Sequence, residues 1–196
     1  MTKQMIKNSL ALVFYSLIFI LPTLLNANAE IAKINEGLSK INYSLSCYGI
    51  SFKKKDLPVK GDFEIESTPI LQEPTSKFYI LKKLNLITSF TSKNPLFRKV
   101  INYEKYPYIE FHSLVETPLI LNNNEPFELE GLLTFHGVTK KTKIYLTCLT
   151  ENNSILFTGS LDIPMTEFGV IPPKILFLKV DDLIKTKIEL YTELTQ

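Results

Sequence analysis

Glu130-Gly131-Leu132-Leu133-Thr134-Phe135-His136-Gly137-Val138-Thr139-Lys140 is the stretch whose reading decides the fold. Leu129, Gly131, Leu133 and Phe135 fall on one side of an extended chain, and Glu130, Leu132 and Thr134 on the other. Successive side chains of a strand point to opposite faces, so this alternation predicts a half-buried strand. His136-Gly137 reads as a sharp reversal, because glycine adopts the positive φ that a tight hairpin turn often needs. A second strand leaves through Val138, Thr139 and Lys140.

The same period of two recurs on both sides of this hairpin. Ile41, Tyr43, Leu45 and Cys47 alternate with polar residues and predict a first strand reaching Phe52. Lys53-Lys54-Lys55-Asp56 reads as a solvated turn. Val59, Gly61, Phe63 and Ile65 mark the second strand, and Pro69 and Pro74 bracket a loop after it. Phe78, Ile80, Leu84 and Leu86 mark the third, where Lys82 interrupts the inward set and predicts a bulge or a polar end. After Asn94-Pro95, Leu96, Phe97, Val100 and Ile101 are spaced to cover one side of a short helix. The fourth strand carries Ile109, Phe111, Ser113 and Val115, and Asn122-Asn123-Asn124 turns the chain into the fifth. Ile144, Leu146 and Cys148 lie inward on the sixth; Ile155, Phe157, Gly159, Leu161 and Ile163 on the seventh; Ile184, Ile188 and Leu190 on the eighth, from about Leu183 to Leu194. Glu30 to Ser39 has no clear period, and Pro164 to Pro173 reads as irregular.

Eight amphipathic strands with mostly short turns imply an antiparallel sheet, closed as a barrel or packed as a sandwich. Closure at eight strands leaves an interior that side chains fill or that holds one slender ligand. Gly61, Gly131 and Gly159 on inward positions either leave space for such a ligand or mark bends.

The first residues have a different character. Lys3 and Lys7 precede the apolar run Ser9 to Leu25, and Asn26-Ala27-Asn28-Ala29 puts small residues at the A-x-A positions. Residues 1–29 are therefore predicted as a secretory signal peptide cut after Ala29, with an uncleaved anchor as the alternative, and residues 30–196 as one barrel domain. No cysteine stands near the cut, which argues against lipid attachment. After cleavage no apolar run long enough to span a membrane as a helix is expected. Lys3 and Lys7 account for the whole net charge of +2. The remainder is neutral, which argues against a nucleic-acid partner.

Candidate chemistry is sparse. His112 and His136 are the only histidines, too few for a metal site that needs three or four ligands, so no metal is expected. No nucleophile elbow or glycine-rich phosphate loop occurs, and no catalytic residue or cofactor is assigned. Glu128 and Glu130 read as solvated surface more readily than as an acid/base pair. Lys82 is the one inward charge on which an enzyme acting on a lipid or quinone could be built. Two cysteines in an exported chain suggest a disulfide by habit. Cys47 and Cys148, however, lie on the first and sixth strands, roughly 15 Å apart across an up-and-down barrel. A bridge needs Cα atoms within about 7 Å, so two free buried thiols are expected.

Leu133-Thr134-Phe135-His136-Gly137-Val138-Thr139-Lys140 resembles the signature turn of the YceI-like family of periplasmic polyisoprenoid-binding proteins. Gly61-Asp62-Phe63, Lys105-Tyr106-Pro107 through Phe111, Thr166-Glu167-Phe168-Gly169-Val170 and Val180 through Leu190 are similar to further motifs of that family, in the same order. The chain departs from it at Asn94 to Ile101, where Val100-Ile101 replaces an aromatic pair and the polar Asp and His are missing. The resemblance implies an all-β, eight-stranded antiparallel lipocalin-like barrel, with the short helix between the third and fourth strands. It implies export to the periplasm of a Gram-negative bacterium and an apolar isoprenoid lipid, such as a polyprenyl quinone, as the bound partner. The ligand-lining set is then Tyr43, Leu45, Phe63, Leu84, Leu86, Phe111, Leu133, Phe135, Phe157, Leu161 and Ile188. An enzyme or stress factor acting on a lipid or quinone, and a packed barrel with a purely interaction role, stay open. So does the oligomeric state, a homodimer among the options.

Overall fold

The computed structural model describes residues 28–70, 73–89, 95–121, 123–151, 154–175 and 178–193. Its strands are β1 (Asn28–Ile34), β2 (Lys40–Cys47), β3 (Ile50–Ile70), β4 (Glu73–Ser89), β5 (Tyr108–Ser113), β6 (Thr117–Leu119), β7 (Asn123–Phe135), β8 (Val138–Glu151), β9 (Ser154–Pro164), β10 (Lys174–Ile175), β11 (Leu178–Lys179) and β12 (Leu183–Glu193). One helix, α1 (Pro95–Val100), lies between β4 and β5, and a 3-10 turn covers Met165–Phe168. The helix stands where the sequence predicts it, between the third and fourth of the expected strands.

Eight strands close a ring in the order β2-β3-β4-β5-β7-β8-β9-β12, with β12 paired back to β2 and every neighbour antiparallel. Closure excludes the sandwich. Its physical basis is visible on β2, where intermediate and buried residues alternate without a break, and on β7, where Leu129, Gly131, Leu133 and Phe135 are all buried. The inner face gathers one continuous core, which includes Phe63, Leu84, Leu146, Ile155, Phe157 and Leu190, each fully out of contact with solvent.

The two ends of the barrel differ. At one end lie the β5–β6–β7 connection and the far ends of β3 and β4. At the other, two long connections fold over the mouth. One carries α1 and the buried Ile101; the other carries the 3-10 turn, with Met165, Phe168, Val170 and Val180 all buried. Gly169, at φ 73°, ends the 3-10 turn in the left-handed conformation and donates its N–H to the Thr166 carbonyl. The end covered by these two connections is the roofed end.

Several expectations are corrected. Glu30 to Ile34, without a clear period in sequence, is part of strand β1, which runs beside β3 from Asn28↔Ser67 to Lys33↔Asp62 and extends the line of β2. Its polar and apolar residues are mixed, so it shows no period. Lys53 to Asp56 is not a turn. The reversal lies at Tyr48-Gly49, with φ 49° and 78°. Asp56, at φ 57°, sits in a β-bulge where the β2–β3 register slips, and its N–H donates to Asn42 Oδ1 at 2.8 Å. A charged bulge and a charged turn look alike in sequence. The third strand does bulge at Lys82, between the pairs Glu64↔Lys83 and Ile65↔Leu81. The extra residue shifts the phase, so Leu81 is buried where Ile80 was expected. Val115 is 45% exposed, because β5 ends at Ser113. The predicted signal peptide, apart from Asn28 and Ala29, lies outside the described residues, as do Asn94, Asn122, Asn152, Asn153 and Leu194.

Candidate functional site: the barrel interior

All eleven predicted lining residues are buried inside the barrel. They do not share one place. Leu86, Phe111, Leu133, Leu161 and Ile188 border an apolar cavity of about 40 Å³ in the half nearer the roofed end. Tyr43, Leu45, Phe63, Leu84, Phe135 and Phe157 lie in the packed core away from that cavity's wall. Phe63 and Phe157 meet edge to face at 5.3 Å between centroids, and Phe127 closes on Phe157 at 6.3 Å. Toward the roof, Phe135 meets Phe168 at 5.8 Å.

The cavity wall is completed by Ile41, Ile109, Ile144 and Ile163, all on inward positions of the period-two pattern, and by Thr88 and Thr186. Sequence reasoning puts the four isoleucines inward without placing them in the predicted lining set, and does not put the threonines inward at all. Thr186 is in phase between Ile184 and Ile188, which is the one signal that could have found it. Neither threonine offers a free hydroxyl. Thr186 Oγ1 donates to the Leu161 carbonyl at 2.6 Å and accepts from the Leu161 N–H at 3.1 Å. Thr88 Oγ1 donates to the Pro58 carbonyl at 2.9 Å. A committed hydroxyl costs little to bury, and the wall behaves as apolar.

The three inward glycines make no room for a ligand. A Cβ on Gly61 would lie 1.9 Å from the Asn85 carbonyl oxygen, and one on Gly159 would lie 2.1 Å from that of Tyr145. On Gly131 it would meet the Phe111 ring at 2.3 Å. These positions let a backbone or a ring approach closely.

The polar candidates fall outside the cavity. Lys82 is not inward. Its ammonium lies 2.8 Å from Glu66 Oε2 and 2.9 Å from Glu116 Oε2, and these hydrogen bonds raise its pKa to about 12. Glu128 binds Lys143 at 2.8 Å and accepts from the Tyr145 hydroxyl at 3.2 Å, while Glu130 binds Lys141 at 2.7 Å. These are cross-strand pairs on the outer face and not an acid/base pair. His112 lies outside, with Nδ1 2.8 Å from Asn85 Oδ1. Among the described residues no three His, Cys, Asp or Glu side chains gather as metal ligands. An open groove of about 700 Å³ crosses β3, β2, β12 and β9, lined by charged residues of both signs together with Tyr43 and Thr186.

The recurring motifs meet at the roofed end. His136 and Gly137, at φ 53° and 75°, turn β7 into β8. His136 Nδ1 lies 3.2 Å from the Phe168 carbonyl oxygen, and its ring sits edge-on to Tyr106 at 5.1 Å. A side chain at Gly137 would strike the Tyr106 ring at 2.4 Å. Thr166 donates its N–H and hydroxyl to the two carboxylate oxygens of Asp182, at 2.8 and 2.6 Å. The Lys-Tyr-Pro, His-Gly-Val-Thr, Thr-Glu-Phe-Gly and Val-Asp-Asp segments thus clasp the roof to the barrel.

Cys47 and Cys148 are free and buried. They lie on β2 and β8, three places apart in the ring, Cys47 at the roofed end and Cys148 near the other. Burial pushes the Cys148 thiol up to about 12. Among the described residues no helix is long and apolar enough to cross a membrane.

Comparison with known proteins agrees with this architecture. No curated protein matches the chain. A polyisoprenoid-binding domain from Saccharophagus degradans, implicated in plant cell wall breakdown, superposes with a TM-score of 0.56 over 86% of this chain and 100% of its own, at 8% identity. BcnA of Burkholderia cenocepacia superposes with a TM-score of 0.51 over 81% and 98%, at 15% identity. At these identities the likeness is one of fold. The model of the YceI-like domain matches residues 87–195, from the end of β4 through β12, and this chain therefore belongs to the YceI-like domain family.

Proposed function

We propose that this protein is an exported binder of an isoprenoid lipid, such as a polyprenyl quinone, held inside the barrel by burial and without chemistry. What carries the proposal is the interior: a closed barrel around a cavity walled by isoleucine, leucine and Phe111, its two threonine hydroxyls already committed. Such a wall rewards an apolar chain and offers a polar reactant nothing. A ligand burying about 400 Å² of apolar surface gains on the order of 10 kcal/mol at about 25 cal/mol per Å², less the costs of association and ordering. The fold shared with a domain described as polyisoprenoid-binding supports the same ligand class. An enzyme built on Lys82 loses its premise, since that side chain faces Glu66 and Glu116.

The free space of about 40 Å³ is far below the roughly 300–1,000 Å³ of an ordinary ligand site. A polyisoprenoid is therefore seated only when wall side chains, Phe111 and Leu133 foremost, turn aside. That small volume favours a second reading, a packed barrel whose role is interaction. Titration with polyprenyl quinone separates the two. Saturable uptake near one per chain, reduced in Leu133→Asp, supports the carrier; no uptake supports the packed barrel.

The leader supports a periplasmic address: Lys3 and Lys7, the run to Leu25, then Ala27 and Ala29. A cut after Ala29 spares the β1 pairs from Glu30↔Ile65 to Lys33↔Asp62. The mature N-terminus is expected at Glu30; a start at Met1 in the exported protein contradicts this.

A further inference from the structure

Two projections stand side by side at the roofed end. The β2–β3 turn presents Tyr48 and Ile50, 76% and 62% exposed. The β10–β11 hairpin is held against that turn: Cys47 Sγ donates to the Lys179 carbonyl at 3.4 Å, and the Asp181 N–H donates to the Ser46 carbonyl at 2.8 Å. The Val180 N–H donates to the Pro173 carbonyl at 3.0 Å, which keeps the preceding segment and its Ile171, 83% exposed, at the same end. Lys174 pairs with Lys179 across the hairpin, and Lys53 follows the turn on β3. All three lysines are exposed, and no ion pair within the described residues holds them. In sequence Lys54 and Lys55 follow Lys53. The acids near the hairpin are Asp181 and Asp182, which accepts from Thr166 and keeps its charge, with Asp56 farther along β3; they offset the lysines only in part, since Lys54 and Lys55 add to Lys53, Lys174 and Lys179.

We propose that this tip, Tyr48, Ile50 and Ile171 with Lys53, Lys174 and Lys179 around it, docks the barrel on an anionic lipid surface. Apolar residues that seat in the headgroup region, joined to lysines drawn by anionic lipid, make the two-part signal that peripheral association requires. Each lysine near such a surface contributes about fivefold in partition. The opposite end shows that exposed apolar residues alone do not make this site. Leu114, Val115 and Ile120 are 46%, 45% and 69% exposed there, but they stand near Glu66 and Glu116, two carboxylates that share the one Lys82 ammonium and so keep a net negative charge that an anionic surface repels. Docking also turns toward the bilayer the end nearer the apolar cavity. It does not depend on the barrel being loaded.

The test is flotation of the protein, as its host processes it and with its N-terminus checked by mass, with vesicles free of isoprenoid. The parent floats with phosphatidylglycerol/phosphatidylcholine vesicles at low salt, and much less with pure phosphatidylcholine or at high salt. Lys53→Gln/Lys174→Gln/Lys179→Gln lowers partition on the order of 100-fold. Tyr48→Asn/Ile50→Thr/Ile171→Thr lowers it about tenfold or more, Asn being chosen because it tolerates the positive φ at 48. Leu114→Ser/Val115→Ser/Ile120→Ser leaves it unchanged. A parent that does not float with anionic vesicles overturns the proposal. So do roofed-end variants that float like the parent, or a Leu114 set that loses as much. The lysine set removes no buried atoms and carries the test if the apolar set unfolds. Polyprenyl quinone uptake, measured separately, distinguishes a failure of docking from a failure of lipid binding.

Discussion

Gly131→Ala probes the packing that closes the barrel around its cavity. A Cβ at 131 would lie 2.3 and 2.5 Å from two ring carbons of Phe111 and 2.6 Å from the His112 carbonyl oxygen. The ring has somewhere to go, since Phe111 borders the cavity of about 40 Å³. The carbonyl does not, because β5 is held to β7 through Phe111↔Leu133, His112↔Leu132 and Ser113↔Gly131. Overpacking of this kind costs about 1–3 kcal/mol, and the stiffer unfolded chain returns up to about 1 kcal/mol. The net loss is about 1–2 kcal/mol, or roughly 2–8 °C in Tm for a domain of this size. Thermal unfolding followed by circular dichroism reads it. In a Phe111→Leu background the same substitution costs less, by about 0.5 kcal/mol or more, because the ring is gone and only the carbonyl remains. The displaced ring also narrows the cavity, so polyprenyl quinone uptake falls in Gly131→Ala. A variant as stable as the parent, with the same uptake, refutes the close approach at Gly131.

Phe157→Ala, at a site with no exposure and two aromatic neighbours, is expected to lose about 3–5 kcal/mol in guanidinium unfolding. Cys47 and Cys148 are expected to resist a thiol reagent in the native state, as buried thiols do. Both are alkylated after denaturation without reductant, and a mass that requires reductant contradicts the strand order. Glu128 is held below the usual carboxylate range by hydrogen bonding to Lys143, against a smaller opposing effect of desolvation, with further help from the Tyr145 hydroxyl. A depressed carboxylate stabilises the fold above its unfolded pKa, and that contribution fades as pH falls through the folded one. The Tm difference between parent and Glu128→Gln therefore closes below about pH 4; a difference that widens on acidification contradicts the pairing.

The period-two pattern made most of the fold legible, because a half-buried strand leaves its mark in every second residue. Leu129 to Phe135 and Ile155 to Ile163 needed nothing more, and the turn at His136-Gly137 carried its own glycine. Signals failed where local chemistry had two structural meanings. Lys53 to Asp56 looked like a turn and formed a bulge; Tyr48-Gly49 made the turn, with a tyrosine at positive φ that no propensity favours. β1 was hidden because its polar and apolar residues do not alternate. Which residues face inward was legible at all eleven lining positions. Which of them border the cavity was not, since that depends on how far each strand is staggered against its neighbours, and stagger is a property of the closed ring. Phe63 and Phe157 fill the barrel at one level, while Phe111 and Leu161 border free space at another.

Mass spectrometry of the protein taken from its own host tests most directly whether the interior holds an apolar isoprenoid chain. Sprayed under native conditions, the protein is expected to carry one added mass per chain. Organic extraction of the same sample is expected to release a polyprenyl lipid of that mass, and Leu133→Asp is expected to arrive without it. A host-expressed protein that sprays only at the mass of the bare chain, yields no apolar compound on extraction and takes up no polyprenyl quinone would contradict the account.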